Sequence, residues 1–371
     1  MNMRILHITS DLDGGGIERL LLNYCRILQK KGIQFDFAIN AQREGLLEKS
    51  FKELGANIYR IPTYHDGIKK YKRALEEILL KNSYDVVHVH SGYKAFIPLM
   101  IAKKHGIKVR IAHSHTTNVE NKKEYLVKKL CVALTKKYAT DLFACGISAG
   151  KWAWGRKAAF DVMYNSIKTE KYLFNEEKRC FLRDELHISN KFVLGNVGRF
   201  SIPKNHEFLI NFFYEIVKKC PNAVLLLIGR GELEKKIQKK IADLGIQNSV
   251  MMLGIRDDVP DLLNAMDLFL LPSKFEGLPV SLVEVQANGL RALAANTITK
   301  EVAITDLVKY IPLDDYSWIN AITELPVVGG YDRSMYNDVI AKSNYDIGKS
   351  SVLLIEKYQS LIKKNNGNAD K

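Results

Sequence analysis

Cysteines are few in this 371-residue sequence, and none of them lies in a pattern that metal or redox chemistry commonly uses. The five are scattered without a C-x-x-C pair, so the sequence indicates neither a zinc site nor a disulfide framework. This usage fits a reducing compartment.

Long apolar runs are also absent. No stretch approaches the roughly 20 apolar residues that a membrane-spanning helix needs. The first ten residues have the pattern of a strand, with Ile5, Leu6 and Ile8, rather than the charged and apolar regions of a signal peptide. We therefore expect a cytoplasmic protein, with any membrane contact peripheral and at the inner face of the cell membrane.

Acidic residues are scarce in one half of the chain only. Residues 1–175 contain 30 basic residues (Lys and Arg) against 16 acidic residues (Asp and Glu), whereas residues 176–371 contain 25 basic and 25 acidic residues. The net charge of +14 therefore lies entirely in the first half. Such a field favours an anionic partner such as an acidic membrane surface, or else serves solubility. No nucleic-acid partner is predicted, because no recognised binding module accompanies the lysines.

Short apolar runs alternate with longer helical patterns throughout the chain. The runs are Arg4–Thr9, Phe35–Ile39, Val86–Val89 and Val109–His113 in the first half, and Phe192–Val197, Ala223–Ile228, Val250–Leu253, Leu268–Leu271 and Ala292–Ala295 in the second. This alternation predicts α/β domains with doubly wound parallel sheets, and the length predicts two of them. We place them at residues 1–175 and 176–345, followed at 346–371 by a last helix, which could cross back to the N-terminal domain, and a polar tail. Because such sheets bind ligands beyond the carboxyl ends of their strands, two facing sheets should form one cleft.

The strongest group of candidate site residues is E-G-L-P-V-S-L-V-E, residues 276–284, directly after an apolar strand. A glycine-bearing turn precedes a predicted helix, and the unpaired amides and dipole at a helix start attract phosphate oxygens. Glu276 is placed to accept hydrogen bonds from sugar hydroxyls, and Glu284 from a ribose diol. Their separation argues against a glycosidase pair. In the structural alternative, Glu276 caps the helix and Glu284 is solvated.

Two basic residues follow another predicted strand, in G-R-F-S-I-P-K-N at residues 198–205. Arg199 offers a planar fork for two oxygens and Lys204 a point charge, so together they suit a diphosphate leaving group. Either residue alone would be read as an ordinary surface charge.

Together these segments resemble the retaining family 4 (group 1) glycosyltransferases of GT-B fold, including those of bacterial capsule and exopolysaccharide biosynthesis. The resemblance rests on G-R-x-x-x-x-K-N and on the E-x7-E spacing, and it extends to 229–233 and 259–273. It implies that Arg199 and Lys204 hold the diphosphate, Glu276 the sugar hydroxyls and Glu284 the ribose. Further donor-binding residues implied by the resemblance are Arg230, Gly231, Leu233, Gly277, Leu278, Pro279, Val280, Ser281 and Leu282.

Two segments of the first half are also candidates for the site. The glycines Gly14, Gly15 and Gly16 lie between a strand and a helix without matching G-x-G-x-x-G, which is by itself weak evidence for a phosphate loop. The resemblance makes them the loop that approaches the donor phosphate and the acceptor. It also implies a histidine near the donor sugar, for which we favour His115 over His113. No third ligand at metal-site spacing accompanies these two histidines.

The segment Asn121–Tyr138 carries three lysine pairs among apolar residues. It predicts a basic amphipathic helix that either lies on anionic lipid or is an ordinary surface helix.

The resemblance implies a metal-independent hexosyltransferase without a cofactor. Its donor would be a nucleoside diphosphate sugar, a UDP-sugar above all, and its acceptor a lipid-linked or other glycan. Alternatives are a catalytically silent scaffold that binds nucleotide sugars, or a nucleotide-sugar epimerase of the same fold.

Overall fold

The protein was analysed as a computed structural model that describes residues 3–13, 15–117, 122–324 and 331–367, without the side chains of 122–126 and 367. It divides into two compact units. The first comprises residues up to Ile167 together with those from Ile347 onward, and the second comprises Lys168–Asp346. The predicted boundary at 175/176 therefore lies eight residues too far along the chain.

The first unit is built on a parallel seven-stranded sheet in the order β3-β2-β1-β4-β5-β6-β7. The strands are β1 (Met3–Thr9), β2 (Ile33–Ile39), β3 (Ile58–Arg60), β4 (Val86–Val89), β5 (Val109–Ser114), β6 (Asp141–Ala144) and β7 (Asp161–Val162). The helices that follow them are α1 (Gly16–Leu28), α2 (Glu48–Glu53), α3 (Ile68–Lys81), α4 (Phe96–Lys104), α5 (Lys122–Tyr138) and α6 (Ile147–Trp154).

Amphipathic helices cover the sheet of the first unit. In α1, Leu20, Leu21, Tyr24 and Leu28 fall on one stripe and are buried against the sheet. The other face of the sheet has its own apolar cluster, which includes side chains from α3 and α4. The strands are therefore buried on both sides, as expected for parallel sheets.

The second unit contains a six-stranded parallel sheet in the order β10-β9-β8-β11-β12-β13. Its helices and strands are α7 (Glu176–Glu185), β8 (Phe192–Val197), α8 (His206–Lys219), β9 (Ala223–Ile228), α9 (Glu234–Asp243), β10 (Val250–Gly254), α10 (Val259–Ala265), β11 (Leu268–Leu271), α11 (Val280–Ala287), β12 (Ala292–Ala295), β13 (Val308–Ile311), α12 (Asp315–Thr323) and α13 (Met335–Ala341).

A buried carboxylate ties α7 to this second sheet. Asp267, immediately before β11, is 1% exposed in its side chain and forms ion pairs with Arg179 and Arg183 of α7. Its other oxygen accepts a hydrogen bond from the backbone N–H of Val193 at 2.7 Å. A buried charge needs such partners, and here they fix α7 beside β8 and β11.

The last helix, α14 (Ile347–Gly367), belongs to the first unit although it follows the second in the chain. Leu354, Tyr358, Leu361 and Ile362 are buried in the same apolar cluster as α1 and β2. No helix among the described residues is both long and apolar enough to span a bilayer.

Candidate functional site

Three loops meet at the carboxyl edge of the second sheet, because β9, β8 and β11 are neighbours there. Asn205 Nδ2, after β8, donates to the carbonyl of Pro272, after β11, at 3.1 Å. The amide of Lys274 donates to the carbonyl of Pro203 at 2.7 Å. These bonds hold the basic loop 198–205 and the acidic turn 272–279 against each other, although they are about 70 residues apart in the chain.

Lys204 and Glu276 form an ion pair across these two loops. The Lys204 Nζ lies 2.7 Å from Glu276 Oε1, and the same oxygen accepts from the Ser273 hydroxyl at 2.7 Å. The two charged side chains are 21% and 12% exposed, so the pair is partly shielded yet open to a ligand. The structure thus brings two predicted site residues together and adds Ser273, which the sequence did not identify.

Arg199, the other predicted phosphate ligand, has a different partner. Its Nε lies 3.1 Å from Glu232 Oε2, and its side chain is 75% exposed. An exposed ion pair of this kind contributes at most about 1 kcal/mol. A bound anion can therefore replace Glu232 at little cost.

The segment after β9 packs so closely on the loop after β8 that only glycine fits at two positions. Gly229 has φ of 137°, and a Cβ there would lie 2.1 Å from the carbonyl oxygen of Gly198. A Cβ on Gly231 would lie 2.4 Å from the carbonyl oxygen of Phe200. The backbone N–H of Leu233 donates to the same Phe200 oxygen at 3.0 Å. The side chain of Arg230, which lies between the two glycines in the sequence, is exposed.

Helix α11 begins within the acidic turn, as the glycine-bearing turn predicts. Pro279 precedes Val280, the first helical residue. The amide of Leu282 donates to the carbonyl of Pro279 at 3.0 Å, whereas Val280 and Ser281 precede the first hydrogen bond within the helix. Gly277 is half-buried, whereas Leu278, Pro279 and Leu282 are buried and anchor the turn. The Ser281 hydroxyl is buried and has no hydrogen-bond partner among the described residues. Unpaired donors here suit an oxygen-rich anion.

Glu284 lies on α11, two turns beyond Glu276, and has a partner of its own. Its Oε1 accepts a hydrogen bond from the Tyr172 hydroxyl at 2.7 Å. The two carboxylates thus have separate environments, one beside a lysine and one beside a phenol. Tyr172 gave no signal in the sequence, because it lies in a short turn with no functional pattern around it.

In the first unit, the glycine loop leads into α1, with Gly15 preceding the helix and Gly16 beginning it. Gly14 lies outside the described residues. Glu18 in the first turn is buried, and this burial raises its pKa to about 7, with a smaller contribution from Asp11 and Asp13. Backbone N–H groups of Gly15 and Glu18 itself donate to its carboxyl group. The start of α1 thus already binds an acidic group of its own chain.

The two candidate histidines differ in position. His113 is the fifth residue of β5 and is fully buried, whereas His115 follows the end of the strand and is half-buried. Sequence spacing gave these two no third metal ligand, but the neighbouring strand supplies one. A nitrogen of His90 lies within 4.8 Å of one nitrogen each of His113 and His115, and His7, His88 and His90 form a second such group. Nitrogen ligands at this separation are compatible with a metal ion.

Helix α5 extends over the predicted basic segment, but not all of its lysines face solvent. Lys128 is buried, with its Nζ 3.4 Å from the centre of the Trp152 ring, and Lys136 donates to the carbonyl of Trp154 at 2.6 Å. In contrast, Val127 and Leu130 are 57% and 64% exposed. Two lysines of the predicted basic helix therefore contact α6, Lys128 over an aromatic ring and Lys136 through a backbone carbonyl.

The two halves of the chain match two family models. Residues 14–152 match the model described as Glycosyltransferase Family 4, and residues 178–321 match that of Glycosyl transferases group 1. Together the two matches extend over about three quarters of the chain.

Similar proteins span three quarters or more of the chain. The Putative glycosyltransferase EpsF of Bacillus subtilis is 28% identical over 96% of each chain. The UDP-Gal:alpha-D-GlcNAc-diphosphoundecaprenol alpha-1,3-galactosyltransferase of Escherichia coli is 26% identical over 76% of each chain. Among solved structures, Anabaena Alr3699/HepE in complex with UDP-glucose has a TM-score of 0.80 at 20% identity, covering 96% of this chain and 100% of the other.

The structural likeness confirms the predicted fold class, the GT-B fold with its two Rossmann-like parallel sheets. The residues predicted for donor binding in the second unit lie within or beside the loops that end its central strands. With one family model matched in each unit, this chain belongs to the glycosyltransferases of group 1 and family 4.

Proposed function

We propose that this glycosyltransferase transfers a sugar from a UDP-sugar to a lipid-linked glycan in cell-surface polysaccharide biosynthesis. The observation that carries the proposal is the ion pair of Lys204 and Glu276 beside the start of α11. A cation and a helix start suit a diphosphate, and a carboxylate suits sugar hydroxyls. The names of the Anabaena and Escherichia coli proteins, which include UDP-glucose and UDP-Gal, support the choice of donor.

In the proposed reaction, the bond between the anomeric carbon and the diphosphate oxygen breaks as an acceptor hydroxyl attacks that carbon. The hydroxyl proton passes to the diphosphate, which leaves as part of UDP. Lys204, Arg199 and the amides at the start of α11 offset the negative charge that develops on the leaving diphosphate. Such preorganised electrostatic stabilisation is commonly the largest contribution to catalysis. We assign no metal ion to this role, because these groups supply the positive charge.

We further propose that the anomeric configuration is retained and that His115 contacts the donor sugar. Glu276, the carboxylate in the acidic turn, is held by Lys204 and Ser273, which suits hydroxyl binding better than attack on carbon. We propose that Glu284 and the Tyr172 hydroxyl bind the ribose. NMR of the anomeric proton of the product distinguishes retention from inversion.

Replacing Lys204 by Met tests the proposal, with Lys274→Met as the matched control. Both lysines lie in the joined loops, but the Lys274 side chain is exposed and Lys204 is paired with Glu276. We expect Lys204→Met to lower transfer from a UDP-sugar at least about 100-fold, the cost of one strong electrostatic contact in the transition state. Lys274→Met should stay close to the unaltered protein in the same radiolabelled-sugar assay. Equal activity of both variants would contradict the proposal.

Incubation of the donor without an acceptor separates the alternatives. A transferase leaves the donor intact apart from slow hydrolysis, whereas an epimerase changes the sugar with no acceptor present. A silent scaffold binds UDP, which a thermal shift detects through mass action, but transfers nothing.

We propose that α5 contacts an anionic membrane surface where the lipid-linked acceptor is presented. Val127 and Leu130 lie three residues apart on one exposed helix face, with the exposed Lys129 and Lys137 nearby. Apolar side chains flanked by lysines suit the interface of an anionic bilayer. A Val127→Ser, Leu130→Ser variant should bind phosphatidylglycerol vesicles more weakly than the unaltered protein, with Leu46→Ser as the control for another exposed leucine. Equal binding to neutral vesicles would contradict the proposal.

A further inference from the structure

Five histidines lie side by side at the carboxyl edge of the first sheet, and we name them the histidine ladder. His7 is on β1, His88 and His90 are at the end of β4, and His113 and His115 are at the end of β5. These three strands are neighbours in the sheet, and His7 is paired in register with His88. Four of the rings are buried, and His115 is half-buried.

The first chain of hydrogen bonds in the ladder joins three rings in line. His7 Nδ1 lies 2.9 Å from His90 Nε2, and His90 Nδ1 lies 3.0 Å from His115 Nε2. Both distances fit an N–H···N hydrogen bond. Each bond joins the Nδ1 of one ring to the Nε2 of the next, so the chain has a direction.

The rings of this chain are neutral at physiological pH. Burial lowers the pKa of His7 and of His115 to about 3, and together with the neighbouring rings it lowers the pKa of His90 well below 6.5. A neutral imidazole has one N–H and one bare nitrogen. Only two arrangements therefore satisfy both bonds, one with every proton on Nδ1 and one with every proton on Nε2.

The two ends of the chain favour the first arrangement. His7 Nε2 is buried without a partner among the described residues, and its ring lies nearly parallel to those of Phe35 and Phe37, with centroids 5.4 and 5.5 Å away. A proton on that nitrogen would be a buried donor among apolar rings, which is costly. His115 Nδ1 is also buried without a partner among the described residues, but it lies beyond the end of the strand in a half-buried residue, where a ligand oxygen can accept from it.

We propose that His7 and His90 hold His115 as the neutral tautomer with its proton on Nδ1, so that His115 donates a hydrogen bond to an oxygen of the bound nucleotide sugar. His7 and His90 are then positioning residues that act through His115. This inference rests on the proposed function for the contact with the sugar, although the tautomer itself is a property of the protein without substrate.

A metal ion bound by the same rings fits the geometry less well. The lone pairs of imidazole lie in the ring plane, so ligands of one ion must point at one place. In the ladder, His88 and His90 are nearly parallel at 12°, and His113 and His115 are stacked at 28° with centroids 4.0 Å apart. The lone pairs of stacked rings lie in separate, nearly parallel planes and therefore do not meet at one ion. In addition, each hydrogen bond of the first chain already occupies one nitrogen of each of the two rings that it joins.

A second chain in the ladder provides an internal control. The Tyr358 hydroxyl lies 2.8 Å from His88 Nδ1, and His88 Nε2 lies 3.1 Å from His113 Nδ1. This chain ends at His113, which is fully buried and whose Nε2 has no hydrogen-bond partner among the described residues. Tyr358→Phe should therefore alter the second chain without changing the tautomer of His115.

NMR of the full chain with 15N- and 13C-labelled histidine measures the tautomer directly, since ring nitrogen and Cδ2 shifts differ between the two neutral forms. A His115→Gln variant identifies the signals of His115. We expect the Nδ1–H form in the unaltered protein and in Tyr358→Phe, and a mixture in His7→Phe. His7→Asn should restore the Nδ1–H form, because the asparagine amide places an N–H donor where Nδ1 was.

Kinetics provide the second measurement. We expect His7→Phe to lower kcat/KM about tenfold, the loss of roughly one hydrogen bond in the transition state. His7→Asn and Tyr358→Phe should remain near the unaltered value. Thermal unfolding checks that each variant is folded. If His7→Phe does not fold, the tautomer of His115 measured by NMR in the unaltered protein tests the inference.

Three results would overturn the inference. They are an Nε2–H tautomer of His115 in the unaltered protein, equal losses of kcat/KM in His7→Phe and His7→Asn, or stoichiometric Zn²⁺ binding that shifts the ladder signals. A protein that transfers no sugar would refute the proposed function, whereas the tautomer would still be measurable without substrate.

Discussion

The polar side chains at the sheet edges of the two units differ in charge. In the second unit, Lys204 and Glu276 are ionic, partly exposed and paired across loops. In the first unit, the histidine ladder is buried and neutral, and its rings bond to each other. Charged groups near the surface suit a diphosphate, whereas neutral buried rings give directed hydrogen bonds without the cost of a buried charge. The two units should therefore respond differently to acid and to substitution.

Acid should have the largest effect, and it should act on the first unit. The folded ladder stays neutral while unfolded histidines bind protons below their ordinary pKa of 6.5, so the free energy of unfolding falls as the pH drops below 6.5. For each ring that stays neutral in the folded state, the free energy of unfolding falls by about 1.4 kcal/mol per pH unit below about 6.5. Five such rings together lower it by on the order of 7 kcal/mol over one pH unit. Since domains are stable by only about 5–15 kcal/mol, we expect the first unit to open between about pH 6 and 5.

Hydrogen exchange followed by mass spectrometry at pH 7.5 and 5.5 measures this effect separately in each unit, after correction for the intrinsic exchange rate. Peptides from β1, β4 and β5 should lose protection before those from β8, β9 and β11. His65→Gln, which replaces an exposed histidine outside the ladder, should leave the acid response unchanged. An equal loss of protection in both sheets would contradict the expected difference between the two units.

Replacing Asp267 by Asn tests whether the stability of the second unit depends on a charge in its interior. The change removes the carboxylate shared by Arg179 and Arg183, whose side chains have little exposure, and leaves Arg179 the exposed Glu176, at 4.0 Å, as its ion-pair partner. We expect the free energy of unfolding to fall by about 3–5 kcal/mol in urea denaturation. Asp243→Asn, which breaks the exposed pair with Lys239, should change it by less than about 1 kcal/mol. Similar small changes in both variants would show that the buried charges are dispensable.

A smaller loss is expected from Gly229→Ala, which adds one methyl group where two site loops touch. The new Cβ would lie 2.1 Å from the Gly198 oxygen at a positive φ, so the loops must separate. We expect the free energy of unfolding to fall by about 3 kcal/mol and UDP to bind more weakly, both measured by calorimetry. Gly245→Ala has a positive φ as well but open space around its Cβ, and it should cost about 1 kcal/mol with UDP binding unchanged.

The smallest effect concerns Glu18, whose pH response is opposite to that of the ladder. Its pKa of about 7 exceeds the ordinary 4.5, so the folded state keeps a proton that the unfolded state has released. The free energy of unfolding should therefore fall as the pH rises from 4.5 to 7. Between pH 5 and 8, Glu18→Gln should gain about 1–3 kcal/mol relative to the unaltered protein in urea titrations. No change in this difference would show that Glu18 ionises normally.

Sequence patterns predicted the central strands better than the edges. The runs at 86–89, 192–197, 223–228, 268–271 and 292–295 match strands residue for residue, because buried parallel strands are continuously apolar. The strands β3, β6, β7 and β13 escaped prediction, since they are two to four residues long and contain half-exposed positions. The edge strand β10, in contrast, was predicted as Val250–Leu253. Of the site, Lys204 and Glu276 were identified by their motifs. Ser273 is only three residues from Glu276, but its hydroxyl contact was not among the predictions. Tyr172 and the ladder depend on neighbours distant in the chain, which spacing alone does not reveal.

The position of α14 has a consequence for the order in which the protein is completed on the ribosome. The first 167 residues emerge without the 21-residue helix whose Leu354, Tyr358 and Leu361 fill their apolar interior. The second unit, by contrast, is continuous and has all of its residues once Asp346 has emerged. The unit that is synthesised first is thus finished last, and a nascent chain stopped before residue 347 would carry an uncovered apolar surface for chaperones or proteases to recognise.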